Sequence, residues 1–319
     1  MKITFLGTSA GKPTKERGLS AIGVEFDQER SWYLFDCGEG TQFQLLHSSL
    51  KIGRLEAIFI THLHGDHFYG LPGLLASKKM DDALLPLRVY GPKGLKAFLD
   101  VALGVSSCDL GYKLEIVEYE AYDEFVFDKF SMKILPLVHS IDSYAFYICE
   151  NDITNRLNES KLRQIGLEPS PLYGELKRGK DLLIDGNLIK ANEYMLEPID
   201  GKKVIISGDN AKPEVLSDYL NGLDLLIHEA TYTKDVYQKL KQKVLHTTAH
   251  DLAEVVQKYS VKNLIATHIS PRYCKGCRYD ISMISDEVCS VYEGCFFVAN
   301  DFDEFLLSRK CDRIKNISI

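Results

Sequence analysis

The chain has 319 residues, enough to bury a substantial core in one large domain or two. Its 45% hydrophobic and 26% charged content are ordinary for a globular enzyme, and no run nears the ~20 apolar residues of a membrane helix. A formal charge of −7 speaks against a surface built wholly for nucleic-acid phosphates. Net charge says little about local fields, however, and basic spots stand at Lys12, Lys15 and Arg17 and at Lys177, Arg178 and Lys180.

The first residues are too short for a signal peptide and open a strand at 3–7. Strands are predicted next at 21–26 and 32–36, a helix at 41–48, a strand at 57–60 and a helix at 70–78. A strand at 87–90 and a helix at 93–102 precede strands at 114–119, 125–127, 132–135 and 144–149. Residues 151–192 then break the rhythm: they are polar and turn-rich, and a connection of that length inside a compact domain carries function or disorder. Beyond it come strands at 204–207, 223–227, 264–267, 296–299 and 304–307, with helices at 213–220, 248–258 and 282–292. Eight scattered cysteines read as reduced thiols, which makes the cytoplasm the default location. Cys274 and Cys277 resemble half a zinc knuckle without a second half at matching spacing, and no role is given to them.

The chemistry concentrates in Thr61-His62-Leu63-His64-Gly65-Asp66-His67, directly after a strand. Alternate residues of an extended chain point the same way, so His62 and His64 can hold one ion together. Gly65 lets the backbone turn, so that Asp66 and His67 face a second position. Imidazole and carboxylate suit Zn²⁺. His139, Asp209 and His268 each follow a predicted strand, where ligands gather in layered α/β proteins. A carboxylate can bridge two ions and an imidazole cannot, which assigns the bridge to Asp209. His47, His228 and His250 read as core or surface residues.

The His-x-His-x-Asp-His run with a later His, Asp and His resembles the metal pattern of the metallo-β-lactamase superfamily. Closer features resemble ribonuclease Z, which trims the 3′ trailer from precursor tRNA. They are the stretch from Phe5 to Arg17, Phe35-Asp36-Cys37-Gly38-Glu39-Gly40-Thr41-Gln42, Gly70-Leu71-Pro72-Gly73-Leu74-Leu75, Ser207-Gly208-Asp209-Asn210, His228-Glu229-Ala230-Thr231, His246-Thr247-Thr248-Ala249 and Thr267-His268-Ile269-Ser270. The resemblance runs over residues 1–308 and leaves 309–319 as a tail. It implies an α/β fold: a four-layer αβ/βα sandwich of two mixed sheets with outer helices and a protruding arm at 151–192. It also implies two zinc ions per subunit (Mn²⁺ or Fe²⁺ being alternatives), one on His62, His64, His139 and Asp209, the other on Asp66, His67, His268 and Asp209. Asp66 would be the general base, and His246, oriented by Glu229, the acid for the leaving 3′ oxygen. A homodimer acting on precursor tRNA, without a membrane, is implied as well.

Lys15, Arg17, Pro169, Pro171, Lys177 and Arg178 would meet the substrate. Two departures bear on this: Ser170 stands where the family has Gly before Pro171, and Gly18 where Asn is common. The competing reading is a metallo-hydrolase of small phosphodiesters, thioesters or lactones on the same fold, which needs neither the arm nor the His246–Glu229 pair. A non-catalytic RNA-binding subunit would have lost ligands, and a flavin-bearing redox protein would need a further domain.

Overall fold

In the computed structural model all residues are described except 28, 185, 243, 275, 277 and 319. Contacts divide the chain into two compact units, Met1–Cys149 with Lys203–Ile319, and Glu150–Lys202.

The first unit opens with β1 (Lys2–Gly7), β2 (Ala21–Glu25), β3 (Trp32–Phe35), β4 (Leu55–Phe59), β5 (Leu87–Pro92) and β6 (Leu114–Tyr119). Between them lie α1 (Thr41–Leu46), α2 (Gly65–Phe68), α3 (Leu71–Met80) and α4 (Leu95–Val105). Then follow β7 (Glu124–Val126), β8 (Phe130–Pro136) and β9 (Tyr144–Glu150). The second unit holds β10 (Arg156–Leu157), α5 (Glu159–Gln164), α6 (Pro171–Lys177), β11 (Leu182–Ile184), β12 (Asn187–Ile189) and β13 (Met195–Leu196). The first unit resumes with β14 (Lys203–Ser207), α7 (Ser217–Leu220), β15 (Leu225–Glu229), α8 (Lys234–Gln238), α9 (Ala249–Lys258) and β16 (Asn263–Thr267). It ends with α10 (Ser282–Cys289), β17 (Cys295–Val298), β18 (Glu304–Leu306) and β19 (Lys315–Asn316).

Two sheets result, in the orders β19-β18-β1-β2-β3-β4-β5-β6 and β17-β16-β15-β14-β9-β8-β7. Each is mixed: β3 to β6 run parallel in the first, and β14 to β17 in the second. Strand β4 shows why these segments read as continuous apolar runs. Ala57 and Phe59 join the core between the sheets, while Leu55 and Ile58 join the core beneath α3 and α4, so both faces are buried. In β15 and β16, Ile227 and Ile265 point to the inter-sheet core, and Leu226 and Leu264 to the core beneath α9 and α10. The layers are therefore helix, sheet, sheet, helix. Helix α9 buries Ala249, Leu252, Ala253 and Val256, a 3.6-period stripe, and Thr248 caps it by accepting the Asp251 N–H.

The structure departs from expectation in four places. Residues 309–319 are no tail: Ile314 is in the inter-sheet core, and β19 pairs with β18. The predicted helix at 213–220 begins as a 3-10 turn, Pro213–Leu216, and becomes α only at α7. The second unit runs past residue 192, because β13 returns antiparallel to β10. Its own small core of Leu162, Tyr173, Leu176 and Ile189 was hidden by a polar, turn-rich sequence. Finally, Cys37, Cys108, Cys149, Cys289, Cys295 and Cys311 are free, but Cys274 is disulfide-bonded, and its sequence neighbour Cys277 lies outside the described residues. No helix among the described residues is long and apolar enough to cross a membrane.

Candidate metal centre

Strand ends from both sheets converge on one edge of the first unit. The segment after β4 carries His62 and His64, and α2 carries Asp66 and His67. His139 follows β8, Asp209 follows β14, Glu229 ends β15 and His268 follows β16. Gly65 does not act through a left-handed turn. It is the first residue of α2, and a Cβ there would lie 2.4 Å from the ring of exposed Tyr69, which would have to shift to admit a side chain. The start of α2 is what swings Asp66 and His67 away from the direction of His62 and His64. Gly208 has a similar constraint, since a Cβ would meet Thr61 at 2.6 Å and the Tyr144 carbonyl at 2.9 Å. That close approach brings Asp209 against the histidine run.

Asp209 is buried, and its two oxygens face opposite ways. Oδ2 lies 3.7 Å from His62 Nε2 and 3.6 Å from His139 Nε2, while Oδ1 lies 3.3 Å from both His67 Nε2 and His268 Nε2. The remaining donors close the two sets. His64 Nδ1 is 3.1 Å from His139 Nε2, and Asp66 Oδ2 is 3.4 Å from His268 Nε2. Donor atoms of His62, His64, His139 and Asp209 lie within 4.8 Å of one another, as do those of Asp66, His67 and His268.

These residues fit a cation. Buried His62 Nε2 has no hydrogen-bond partner among the described residues, although its Nδ1 is 2.9 Å from Thr61 Oγ1. Burial and the neighbouring imidazoles of His67, His139 and His64 lower the His62 pKa, against the pull of Asp209, and so keep a lone pair available. Burial likewise raises the cost of charging Asp66 and Asp209, but the surrounding histidines prevail and hold both carboxyl groups well below their ordinary range. His67 is the opposite case: burial opposes its protonation, yet Asp209 and Asp36 raise its pKa well above the usual value. A proton on His67 must therefore leave before the ring can act as a ligand.

A surrounding layer orients these donors. Asp36 Oδ2 accepts from His67 Nδ1 at 2.7 Å and from the Thr61 hydroxyl at 3.0 Å, and Oδ1 accepts from the Thr61 N–H at 2.8 Å. The His139 Nδ1–H donates to the Leu245 carbonyl at 2.9 Å, and the Gly11 N–H donates to Asp66 Oδ2 at 2.7 Å. Asp36 and His268 both take left-handed backbone, φ 58° and 53°, a strained state of the sort kept at functional sites. Sequence reasoning gave no role to Asp36, Thr231, Asn210 or Gly11. Asp36 was findable, since it too follows an apolar strand.

His246 stands beside both donor sets, with Nδ1 3.0 Å from Glu229 Oε2 and 3.8 Å from Asp209 Oδ2. Glu229 is buried and also accepts from the Asn210 N–H at 2.6 Å and from the Thr231 hydroxyl. Burial lowers the His246 pKa, but Glu229, followed by Asp209 and Asp66, overcomes it and lifts the value to about 9. His228 is a core residue whose ring meets Asn210 Nδ2 at 3.0 Å, and His47 and His250 lie outside the cluster.

The expected substrate residues divide. Lys15 is exposed, as are Pro169, Pro171, Lys177 and Arg178 in the second unit. Arg17 is a correction: it is buried, and its guanidinium donates to Thr8 Oγ1 and the Ala299 carbonyl at 2.6 Å and to Asn300 Oδ1 at 2.8 Å. Those contacts consume its fork in anchoring the loop that carries Gly11. Ser170 brings no strain, because it takes extended backbone (φ −157°, ψ 174°) immediately before Pro171, which starts α6 where a missing N–H costs nothing.

Two mixed sheets, outer helices and paired His/Asp donor sets on one edge, suited to metal ions, define a protein of the metallo-β-lactamase fold. The Bacillus subtilis metallo-beta-lactamase fold protein YhfI is similar in structure, with a TM-score of 0.65 at 15% identity over 95% of this chain and 98% of that one. Human tRNase Z, short form, is similar with a TM-score of 0.68 and 28% identity, covering 97% of this chain and 100% of that one. A family model described as anti-Pycsar protein Apyc1 matches residues 1–156. Over 313 residues, 97% of each chain, the sequence is 38% identical to ribonuclease Z of Marinobacter nauticus. The chain belongs to the ribonuclease Z family.

Proposed function

We propose that this chain is an endoribonuclease that removes the 3′ trailer from precursor tRNA, leaving a 3′-hydroxyl on the tRNA and a 5′-phosphate on the trailer. The observation that supports it above others is the His246–Glu229 pair, set beside two donor groups that share Asp209. Hydrolysis of a small substrate on this fold has no such feature in its favour.

In this reading His62, His64, His139 and Asp209 hold one zinc ion, and Asp66, His67, His268 and Asp209 a second; Mn²⁺ or Fe²⁺ would suit the same donors. When bound, the pair supplies positive charge to the scissile phosphate and acidifies the attacking water. Asp66, steadied by the Gly11 N–H, orients that water and accepts its proton. His246 delivers a proton to the departing 3′ oxygen. Glu229 fixes the ring by accepting from Nδ1, which leaves Nε2 to face the substrate. Lys15, and Pro169, Pro171, Lys177 and Arg178 of the second unit, are proposed contacts to the tRNA. A homodimer working in the cytoplasm, where precursor tRNA is found, completes the reading and rests on family membership.

The test is incubation of a precursor tRNA carrying a 3′ trailer, with both product ends mapped, for wild type and Asp66→Ala. One cut beside the discriminator nucleotide, with 3′-hydroxyl and 5′-phosphate ends and at least a hundredfold slower in the variant, is expected. A 2′,3′-cyclic phosphate end would refute attack by water.

A further inference from the structure

Residues 239–242 and Val244, with Tyr232, Arg272 and Tyr279, border a cavity of about 530 Å³. Lys239, Lys241 and Arg272 line it together with Tyr232 and Tyr279, and no carboxylate does among the described residues. Three cations thus gather there in a chain of formal charge −7. Lys239 shares its charge with Asp235, whereas the Lys241 and Arg272 side chains are exposed and carry no ion pair among the described residues. Tyr232 is half-buried, and its ring centroid lies 6.4 Å from that of His246. One wall residue of the cavity therefore neighbours the proposed proton donor.

Aromatic rings beside guanidinium and ammonium groups match an unstacked nucleotide: the rings offer faces for a base, and the cations meet phosphate. Resting on the proposed function, we infer that this cavity takes the nucleotide whose 3′ oxygen departs, its base against Tyr232 and Tyr279 and its 5′ phosphate toward Arg272 and Lys241. The nucleotide on the trailer side is excluded by the same placement, because His246 serves the departing oxygen and Tyr232 adjoins His246.

The experiment crosses protein variants with abasic substrates. Wild type, Tyr232→Leu and Arg272→Ala would cleave precursor tRNA that is intact, abasic at the nucleotide 5′ of the cut, or abasic 3′ of it. Base–aromatic stacking is worth about 1–3 kcal/mol. Removing the 5′ base should thus cost wild type roughly 5- to 150-fold in kcat/KM and cost Tyr232→Leu several-fold less. The 3′ base should show no such coupling. Arg272→Ala should flatten the dependence of log KM on log salt by about 0.7, the loss of one single-strand phosphate contact. Equal abasic penalties in wild type and Tyr232→Leu, with an unchanged salt slope, would overturn the inference while leaving cleavage of precursor tRNA intact. Coupling to the 3′ base would overturn it too. Failure of wild type to cut any precursor would instead bring down the ribonuclease reading, and this inference with it.

Discussion

Asp36 Oδ2 accepts a 2.7 Å hydrogen bond from His67 Nδ1, and so turns the Nε2 of a fully buried imidazole toward Asp209 and His268. The same carboxylate takes the Thr61 backbone N–H and hydroxyl, and Thr61 in turn meets His62 Nδ1. One side chain thereby orients an imidazole from each donor set.

Second-layer carboxylates of this kind are worth about 10- to 100-fold in metal affinity. Asp36→Asn should weaken zinc binding by that factor, read by competition with a chromophoric chelator. The fold should persist, because the amide fills the same space. Unchanged affinity would show that Asp36 serves only the backbone.

Metal removal should destabilise the native state by mass action. Ligand at about 100 times its Kd contributes roughly 2.7 kcal/mol, and the figure grows with concentration. Thermal unfolding in chelator should therefore occur below that in zinc, with a Tm that climbs as zinc is added. A Tm insensitive to zinc would contradict a cation on these donors.

The pH profile tests His246. Its proton is retained below the pKa of about 9 and lost as pH rises through it, so activity that needs the proton fails on the alkaline side. Bound cations move that limb downward. Glu229→Gln removes the largest influence raising the value and leaves burial to lower it, so the alkaline limb should shift to lower pH. A fall in kcat of about 10²-fold should accompany the shift, in the range of general acid catalysis. A limb that stays in place would assign the acid elsewhere.

The second unit can be excised cleanly. Cys149 and Lys203, which flank it, are register partners of antiparallel β9 and β14. Replacing residues 150–202 by an Asn-Gly turn should close a hairpin and spare the first unit's Tm. Affinity for precursor tRNA should fall by at least tenfold, with a shallower salt dependence as Lys177 and Arg178 are lost. Undiminished affinity would remove the tRNA role from this unit.

Arg17→Ala should lower stability by about 1.5–3 kcal/mol, the range for hydrogen bonds to a charged group, because Thr8, Ala299 and Asn300 lose a buried donor. Lys should not restore it, since a single ammonium cannot span the fork. Denaturant unfolding reads the difference, and wild-type stability in the alanine variant would show that these buried hydrogen bonds add nothing to the fold.

Much of this was legible in the sequence because the parallel strands are buried on both faces and end in polar ligand residues. Strand β4 followed by His62 and His64, and β16 followed by His268, are the clearest cases. What was not legible depends on tertiary approach. Nothing local marks Gly208 as packed against Thr61 and the Tyr144 carbonyl, Arg17 as buried, or Ile314 as part of the main core. The second unit was read as irregular because its strands are only two or three residues long, too short for alternation to show. Asp36 is hard to single out because an acidic residue before a glycine-rich turn reads equally well as a turn former.

Relative specificity separates a tRNA-processing nuclease from a small-molecule phosphodiesterase. The kcat/KM of the zinc-loaded protein would be measured for a trailer-bearing precursor tRNA and for bis(p-nitrophenyl) phosphate under one set of conditions. The precursor should be preferred by several orders of magnitude and cut once, beside the discriminator nucleotide. Rapid hydrolysis of the small diester with the precursor left intact would contradict it, and would identify a small-molecule phosphodiesterase on the same fold.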